Sequence, residues 1–272
     1  MTKNIKLVAI DLDGTLLDRK KNVPIENIKA IKKLKDKNIH VVIATGRPVA
    51  GFSWILDRVK LRDKKDYSIT NTGSLIIRNS DNKEIFSKTL TIEDFKKVKN
   101  LAKSFDLQVG FYNRDYLYNN VDLPDKIYQN ESNVLKMQIK KFDEDRFSEK
   151  IERICLTGDP LKIDKFSAAY EDILLKNYQL VRSLPEIDEV LNKDCDKGKA
   201  LRKISEFLQV DTKEVLAIGD SENDRSMLEI AGISATSINA NDHIKNLVDF
   251  VCQKTNDEAS VSQIIEKIVF SD

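Results

Sequence analysis

Two aspartates, Asp11 and Asp13, close the apolar run at residues 8–10 and precede a Gly-Thr turn in VAIDLDGTLLD. The run reads as the end of a strand covered on both faces. Side chains two apart on a strand point the same way. Two carboxylates about 4 Å apart repel by about 4 kcal/mol at an effective dielectric of about 20. Such a pair calls for a cation or a shared proton. Three further segments carry similar chemistry. Thr45, Gly46 and Arg47 follow the β-branched run HVVIA, Lys197 opens a helix in DCDKGKAL, and Asp220, Ser221, Glu222, Asn223 and Asp224 follow the strand VLAI. In an open parallel sheet, ligands bind outside the carboxyl ends of the strands. Anions bind at helix N-termini. Clustered carboxylates without histidine suit a hard cation with oxygen ligands, best matched by Mg2+. A phosphate bridged to that cation by a protein carboxylate would make the close pair tolerable.

The elements that must position these residues alternate. Strand, helix, strand, helix and strand are read through LVAID, PIENIKAIKKLKDKNI, HVVIATG, PVAGFSWILDRVKL and YSITNTGSLIIRN, the rhythm of a parallel sheet with helices on its faces. From about Lys83 the order changes to EIFSKTL, a helix IEDFKKVKNLAKSF, strands at LQVGFYN and YLYNN, a strand VLKMQIKKF, an amphipathic stretch FSEKIERI, and a strand pair at YQLVRS and IDEVLN. This reads as an α+β unit with antiparallel pairing. From Lys197 the first rhythm returns. The expected organisation is an α/β core at 1–82 and 187–272, split by an inserted α+β domain at 83–186.

Bulk composition excludes several functions. The 272 residues hold 45 Lys and Arg against 44 Asp and Glu, a net +1, which gives no reason to expect nucleic acid or a membrane surface as partner. The cysteines, Cys155, Cys195 and Cys252, form no CxxC, and with two histidines a Cys/His zinc site is not expected. The apolar run near the start is too short for a signal peptide or membrane span. A cytoplasmic protein in a reducing compartment is the expectation.

Read singly, these segments are weak. A lone DxD is commonly a solvated turn, Lys197 is one lysine among many, and GDSEND could be a helix cap. Phe52, Trp54 and Ile55 read as packing. Tyr112, Arg114, Tyr116 and Tyr118 fit either a pocket lining or a half-exposed strand. In combination, DLDGTLLD, VVIATGRP, DKGKAL and GDSENDRSML, in this order, resemble the four motifs of the haloacid dehalogenase superfamily of phosphohydrolases. The insertion, with ITNTGSLI ahead of it, resembles the Cof-type branch (subfamily IIB) with its large α/β cap. The resemblance spans essentially the whole chain.

It implies a Rossmann-like core and a cap that closes over the site, excludes water and reads the leaving group. It implies Asp11 as nucleophile and Asp13 as general acid, then base. It implies Thr45 and Lys197 as holders of the phosphoryl group, aided by the amides of Leu12 and Gly46 and the side chain of Asn223. The metal would be Mg2+ on Asp11, the backbone carbonyl of Asp13, and Asp220, with Ser221 through water and Asp224 in support. The expected substrate is a small phosphorylated metabolite: a sugar phosphate, or flavin mononucleotide or pyridoxal phosphate. No motif names the substrate or the oligomeric state. The chain departs from the family pattern at Thr72, where Asn is usual before Gly73, in ISATSINAN, which lacks the usual glycines, and at Ala259, where Gly is usual. A phosphomutase would use the same chemistry, and a sugar-phosphate-binding regulator would need no Asp13.

Overall fold

A computed structural model describes residues 4–271. Along the chain it has β1 (Leu7–Ile10), α1 (Ile25–Asp36), β2 (His40–Ala44), α2 (Ser53–Arg58), β3 (Tyr67–Thr70), β4 (Leu75–Arg78) and β5 (Lys83–Ser87). There follow α3 (Ile92–Ala102), β6 (Gln108–Tyr112), β7 (Tyr116–Tyr118), α4 (Lys126–Leu135), β8 (Gln138–Lys140), β9 (Arg153–Thr157), α5 (Pro160–Leu174), β10 (Tyr178–Leu184) and β11 (Ile187–Asn192). The last are α6 (Lys197–Leu208), β12 (Val215–Ile218), α7 (Arg225–Ile230), β13 (Ile233–Ser237), α8 (Asp242–Lys245), β14 (Phe250–Cys252) and α9 (Ser260–Val269).

Two compact units result. The first holds the described residues up to Gly46, Ser53–Phe86 and the described residues from Asp196 onward; the second holds Arg47–Phe52 and Ser87–Cys195. The first is built on an eight-stranded sheet ordered β14-β13-β12-β1-β2-β3-β4-β5. The neighbours from β14 to β3 are parallel, and β4 turns back antiparallel on β3. Every residue of β1, β3 and β12 is buried, as in a sheet covered on both faces. Leu7, Ala9, Val42, Ile69, Leu201, Ile204 and Met227 share one apolar core.

The second unit has a six-stranded sheet, β10-β11-β9-β6-β7-β8, antiparallel except for β7 and β8. Its edges differ from those expected. Residues 83–86 belong to the first unit because β5 joins the eight-stranded sheet. Residues 187–195 belong to the second because β11 pairs with β9 and β10.

Other expectations change as well. Only Gln138–Lys140 of VLKMQIKKF is strand; its first residues end α4, which stops where Lys136 turns left-handed at φ 54°. The amphipathic stretch FSEKIERI runs into a strand: Ile151 makes an isolated bridge with Leu90, and Arg153 already begins β9. Helix α5, with Pro160 in its first turn and Asp159 capping the Leu161 amide, is an element the sequence reading omitted, as is β9. Trp54 lies at the surface, while Phe52 and Ile55 are fully buried. Tyr112 and Tyr118 are core residues of this unit rather than a pocket lining. The three cysteines are buried. No described helix is long and apolar enough to cross a membrane.

Candidate active site

The first unit gathers the marked residues, except Arg47, which falls in the second unit, at one end of its parallel strands. Ile10 of β1 sits opposite Ile218 of β12 and Ile43 of β2, so the segments beyond those strands leave the sheet side by side. Asp11 follows β1 and its amide donates to the Ile218 carbonyl at 2.9 Å. Thr45 and Gly46 follow β2, and the Thr45 amide donates to the Ile69 carbonyl of β3 at 2.9 Å. Asp220 comes two residues after β12. Lys197 is the first residue of α6, whose N-cap Asp196 accepts the Lys199 amide at 2.6 Å. Gly14, at φ 82°, is a position only glycine fits: a Cβ there would strike the Asp220 carboxylate.

Lys197 is wholly buried, and its ammonium lies 2.6 Å from Asp11 Oδ1 and 2.6 Å from Asp224 Oδ1. Asp224 Oδ2 accepts the amides of Asp220 at 3.0 Å and Ser221 at 3.1 Å. Asp220 Oδ1 accepts the Thr15 hydroxyl at 2.8 Å. One carboxylate oxygen from each of Asp11, Asp220 and Asp224 falls within 4.8 Å of the others.

Three acids and one base in a buried place leave a surplus of negative charge, which is costly away from water. Burial, and then the neighbouring Asp224, push the Asp11 carboxyl well above the usual range, against the pull of Lys197. Burial and Asp224 push Asp220 up to about 6. Burial works against the charge on Lys197, yet Asp11 and Asp224 outweigh it and hold the ammonium more firmly protonated than usual. A donor set of carboxylate oxygens with surplus negative charge and no histidine fits a hard divalent cation.

The other marked residues divide. Asp13 is half-exposed and pairs through Oδ1 with Lys21 Nζ at 2.7 Å, so its side chain stands outside the trio. Asp224, given a supporting place by the resemblance, has its carboxylate within the trio. The Ser221 hydroxyl donates to Asn223 Oδ1 at 2.9 Å. The Asn223 amide nitrogen lies 4.0 Å from where a Cβ on Gly46 would be. Leu12 and Thr45 are buried. Thr15 and Lys21 are contributors that sequence reasoning passed over. Thr15 directly follows DxDG and was available to it. Lys21 was hidden because its role depends on the shape of the turn after β1.

Comparison with known proteins gives the family. Residues 8–265 match the family of haloacid dehalogenase-like hydrolases. The chain belongs to that family, in its Cof-type branch, and is a phosphoric monoester hydrolase. It is 30% identical over 292 residues to the 5-amino-6-(5-phospho-D-ribitylamino)uracil phosphatase YwtE of Bacillus subtilis, covering 97% of this chain and 98% of that one. Among solved structures, a haloacid dehalogenase-like hydrolase from Bacteroides thetaiotaomicron superposes with a TM-score of 0.88 at 26% identity, covering 97% of this chain and 99% of that one. The HAD subclass IIB sugar phosphatase BT4131 shares the fold, with a TM-score of 0.79 at 20% identity over 96% of this chain and 98% of that one.

Proposed function

We propose that the protein is a Mg2+-dependent phosphatase of small phosphomonoesters that works through a phosphorylated Asp11. The observation that carries this reading is the trio of carboxylates gathered around one buried ammonium. Asp11, Asp220 and the backbone carbonyl of Asp13 would hold Mg2+, with Asp224 and Ser221 (through water) in support. When bound, the cation supplies neutralisation of phosphoryl charge and orients the phosphate. Every other part of the reaction falls to the chain itself. An Asp11 oxygen attacks phosphorus, and the bond to the leaving oxygen breaks. Asp13 gives that oxygen a proton. The Asp13 carboxylate then takes a proton from water as the water attacks the phosphorylated Asp11. Inorganic phosphate leaves and Asp11 is regenerated. Thr45, Lys197, Asn223 and the amides of Leu12 and Gly46 hold the phosphoryl oxygens throughout.

A sugar phosphate is the substrate class we favour, ahead of flavin mononucleotide and pyridoxal phosphate. The likeness to YwtE supports a second candidate, a phosphorylated ribityl compound, because that relative is named for one. The decisive experiment separates the two aspartates. In Asp13→Asn, an alkyl phosphate should lose about 10²–10⁴-fold in rate, the usual worth of general acid help. An aryl phosphate should lose less in the first step, because a phenolate departs with little protonation, yet phospho-Asp11 should accumulate. Equal losses for both esters, with no phosphoenzyme seen by rapid quench and mass spectrometry, would overturn the assignment. Phosphate release without any added bisphosphate separates hydrolysis from a mutase.

A further inference from the structure

Thr72 adopts a backbone conformation that its own residue type resists. Its φ and ψ are 53° and 33°, between Asn71 at φ 47° and Gly73 at φ 93°. A left-handed β-branched residue is a real outlier, whereas Asn tolerates the region and Gly enters it freely. An Asn or Gly at position 72 would build the same arc at lower cost. Residues held in this way cluster at functional sites.

The arc is wedged between the two segments that frame the phosphate site. On one side the Thr72 amide donates to the Thr45 carbonyl at 3.2 Å, and Thr72 Oγ1 lies 3.4 Å from where a Cβ on Gly46 would sit. On the other, Gly73 packs so close to Asp196 that a Cβ would overlap its carbonyl and come 3.1 Å from the Lys197 amide nitrogen. Thr72 is 4% exposed. Its hydroxyl has no hydrogen-bond partner among the described residues. That oxygen therefore sits beside the bare backbone of Gly46 with its donor unused.

We propose that Thr72 is a further phosphate-binding residue, its hydroxyl donating to a phosphoryl oxygen beside Thr45, Gly46 and Lys197. This rests on the phosphatase reading. The hydroxyl is what the strained backbone retains: Asn or Gly would relax the arc and lose the short donor.

The test compares Thr72→Ser, Thr72→Val and Thr72→Gly in the full chain with Mg2+. It reads kcat and KM on an aryl phosphate, inhibition by inorganic phosphate, and Tm. Loss of one hydrogen bond to a charged group should weaken phosphate inhibition about 10-fold in Val and Gly. The Ser variant should restore it. Thr72→Gly should gain Tm while losing kcat/KM, a pairing that a purely structural role would not give. If Val and Gly bind phosphate and turn over substrate like the wild type, Thr72 holds no phosphate and the proposal falls, while loss of turnover in Asp11→Asn would still uphold the phosphatase. Should Val misfold, Gly and Ser carry the comparison. If the wild type hydrolyses no phosphomonoester, the phosphatase reading fails by itself, and unchanged phosphate affinity across the variants would remove Thr72 as well.

Discussion

Each unit buries a cation among acids, and the two clusters are built to opposite ends. In the first, Lys197 faces Asp11 and Asp224, with Asp220 close by. In the second, Arg153 pairs with Glu189 at 2.7 Å, both almost wholly buried. The guanidinium lies 4.4 Å from the centre of the Tyr112 ring, and the Tyr112 hydroxyl meets Glu131 at 3.4 Å and Cys155 Sγ at 3.7 Å. One base meets one acid directly, and a second acid, a ring and a thiol stand around them. Burial raises the Glu189 carboxyl even so, because Arg153 recovers only part of the cost of leaving water. In the Arg153 cluster the cation meets one carboxylate directly. The Lys197 cluster has a charge surplus that only something from solution can balance. That imbalance, more than burial or perturbed titration, is what separates a site for chemistry from a fastening within a sheet.

Breaking each cluster should therefore cost a different quantity. Lys197→Met should lower kcat/KM by about 10²–10³-fold or more, the usual loss when a charge-stabilising donor is removed. Its Tm in Mg2+ should change far less than its rate. Steady-state kinetics beside a thermal melt reads both. Arg153→Met should do the reverse. It strands Glu189 and should destabilise by about 3–5 kcal/mol, with the folded protein keeping its kcat. The double variant Arg153→Met, Glu189→Leu should regain most of that stability, since an apolar pair of similar volume often replaces a buried ion pair at no cost. A folded, stable Arg153→Met that has lost turnover would break the contrast.

The smallest effect concerns pH. Asp220 moves from 3.8 to about 6 on folding, chiefly through burial. Between those values the folded protein keeps a proton that the unfolded chain has released. Without metal, stability should be fullest below about 4 and decline as pH rises through about 6. Mg2+ should flatten or reverse that slope, because the cation replaces the proton. Melts in EDTA and in Mg2+ across this range decide it. A metal-free stability that rises over the same interval would show that the surplus charge is balanced from within.

What was legible follows the same division. β1 and β12 are unbroken apolar runs and β2 is one after His40, so both their burial and the chemistry at their ends could be read. In the second unit the signal is disguised by the residues that hold it together. β9 begins with Arg153, and β11 contains Asp188 and Glu189, all buried, so charge there did not mark the surface. α4 is rich in Asn, Gln and Ser, with Tyr128 and Leu135 its buried positions, a thin apolar stripe that was read partly as strand. α5 did carry a readable repeat in Ile163, Phe166 and Leu174 and was passed over. In the site, Lys197 is 186 residues from Asp11, a separation no local pattern spans; the motif resemblance linked them. The left-handed Thr72 leaves no trace in composition, because its backbone is set by neighbours that meet only once the chain has folded.

β1 lies in the middle of its sheet, held by β2 on one side and by β12 on the other. During synthesis these partners arrive at very different times. β2 is made soon after β1, but Val215, opposite Leu7, is made some two hundred residues later. At about 5–20 residues per second the nascent chain would carry an open, wholly apolar strand edge for roughly 10–40 s. The intervening Ser87–Cys195 stretch is nearly continuous and can complete its own sheet within that interval. The order of translation thus places a finished unit on the growing chain before the catalytic sheet can close, and leaves β1 as the edge most in need of a chaperone.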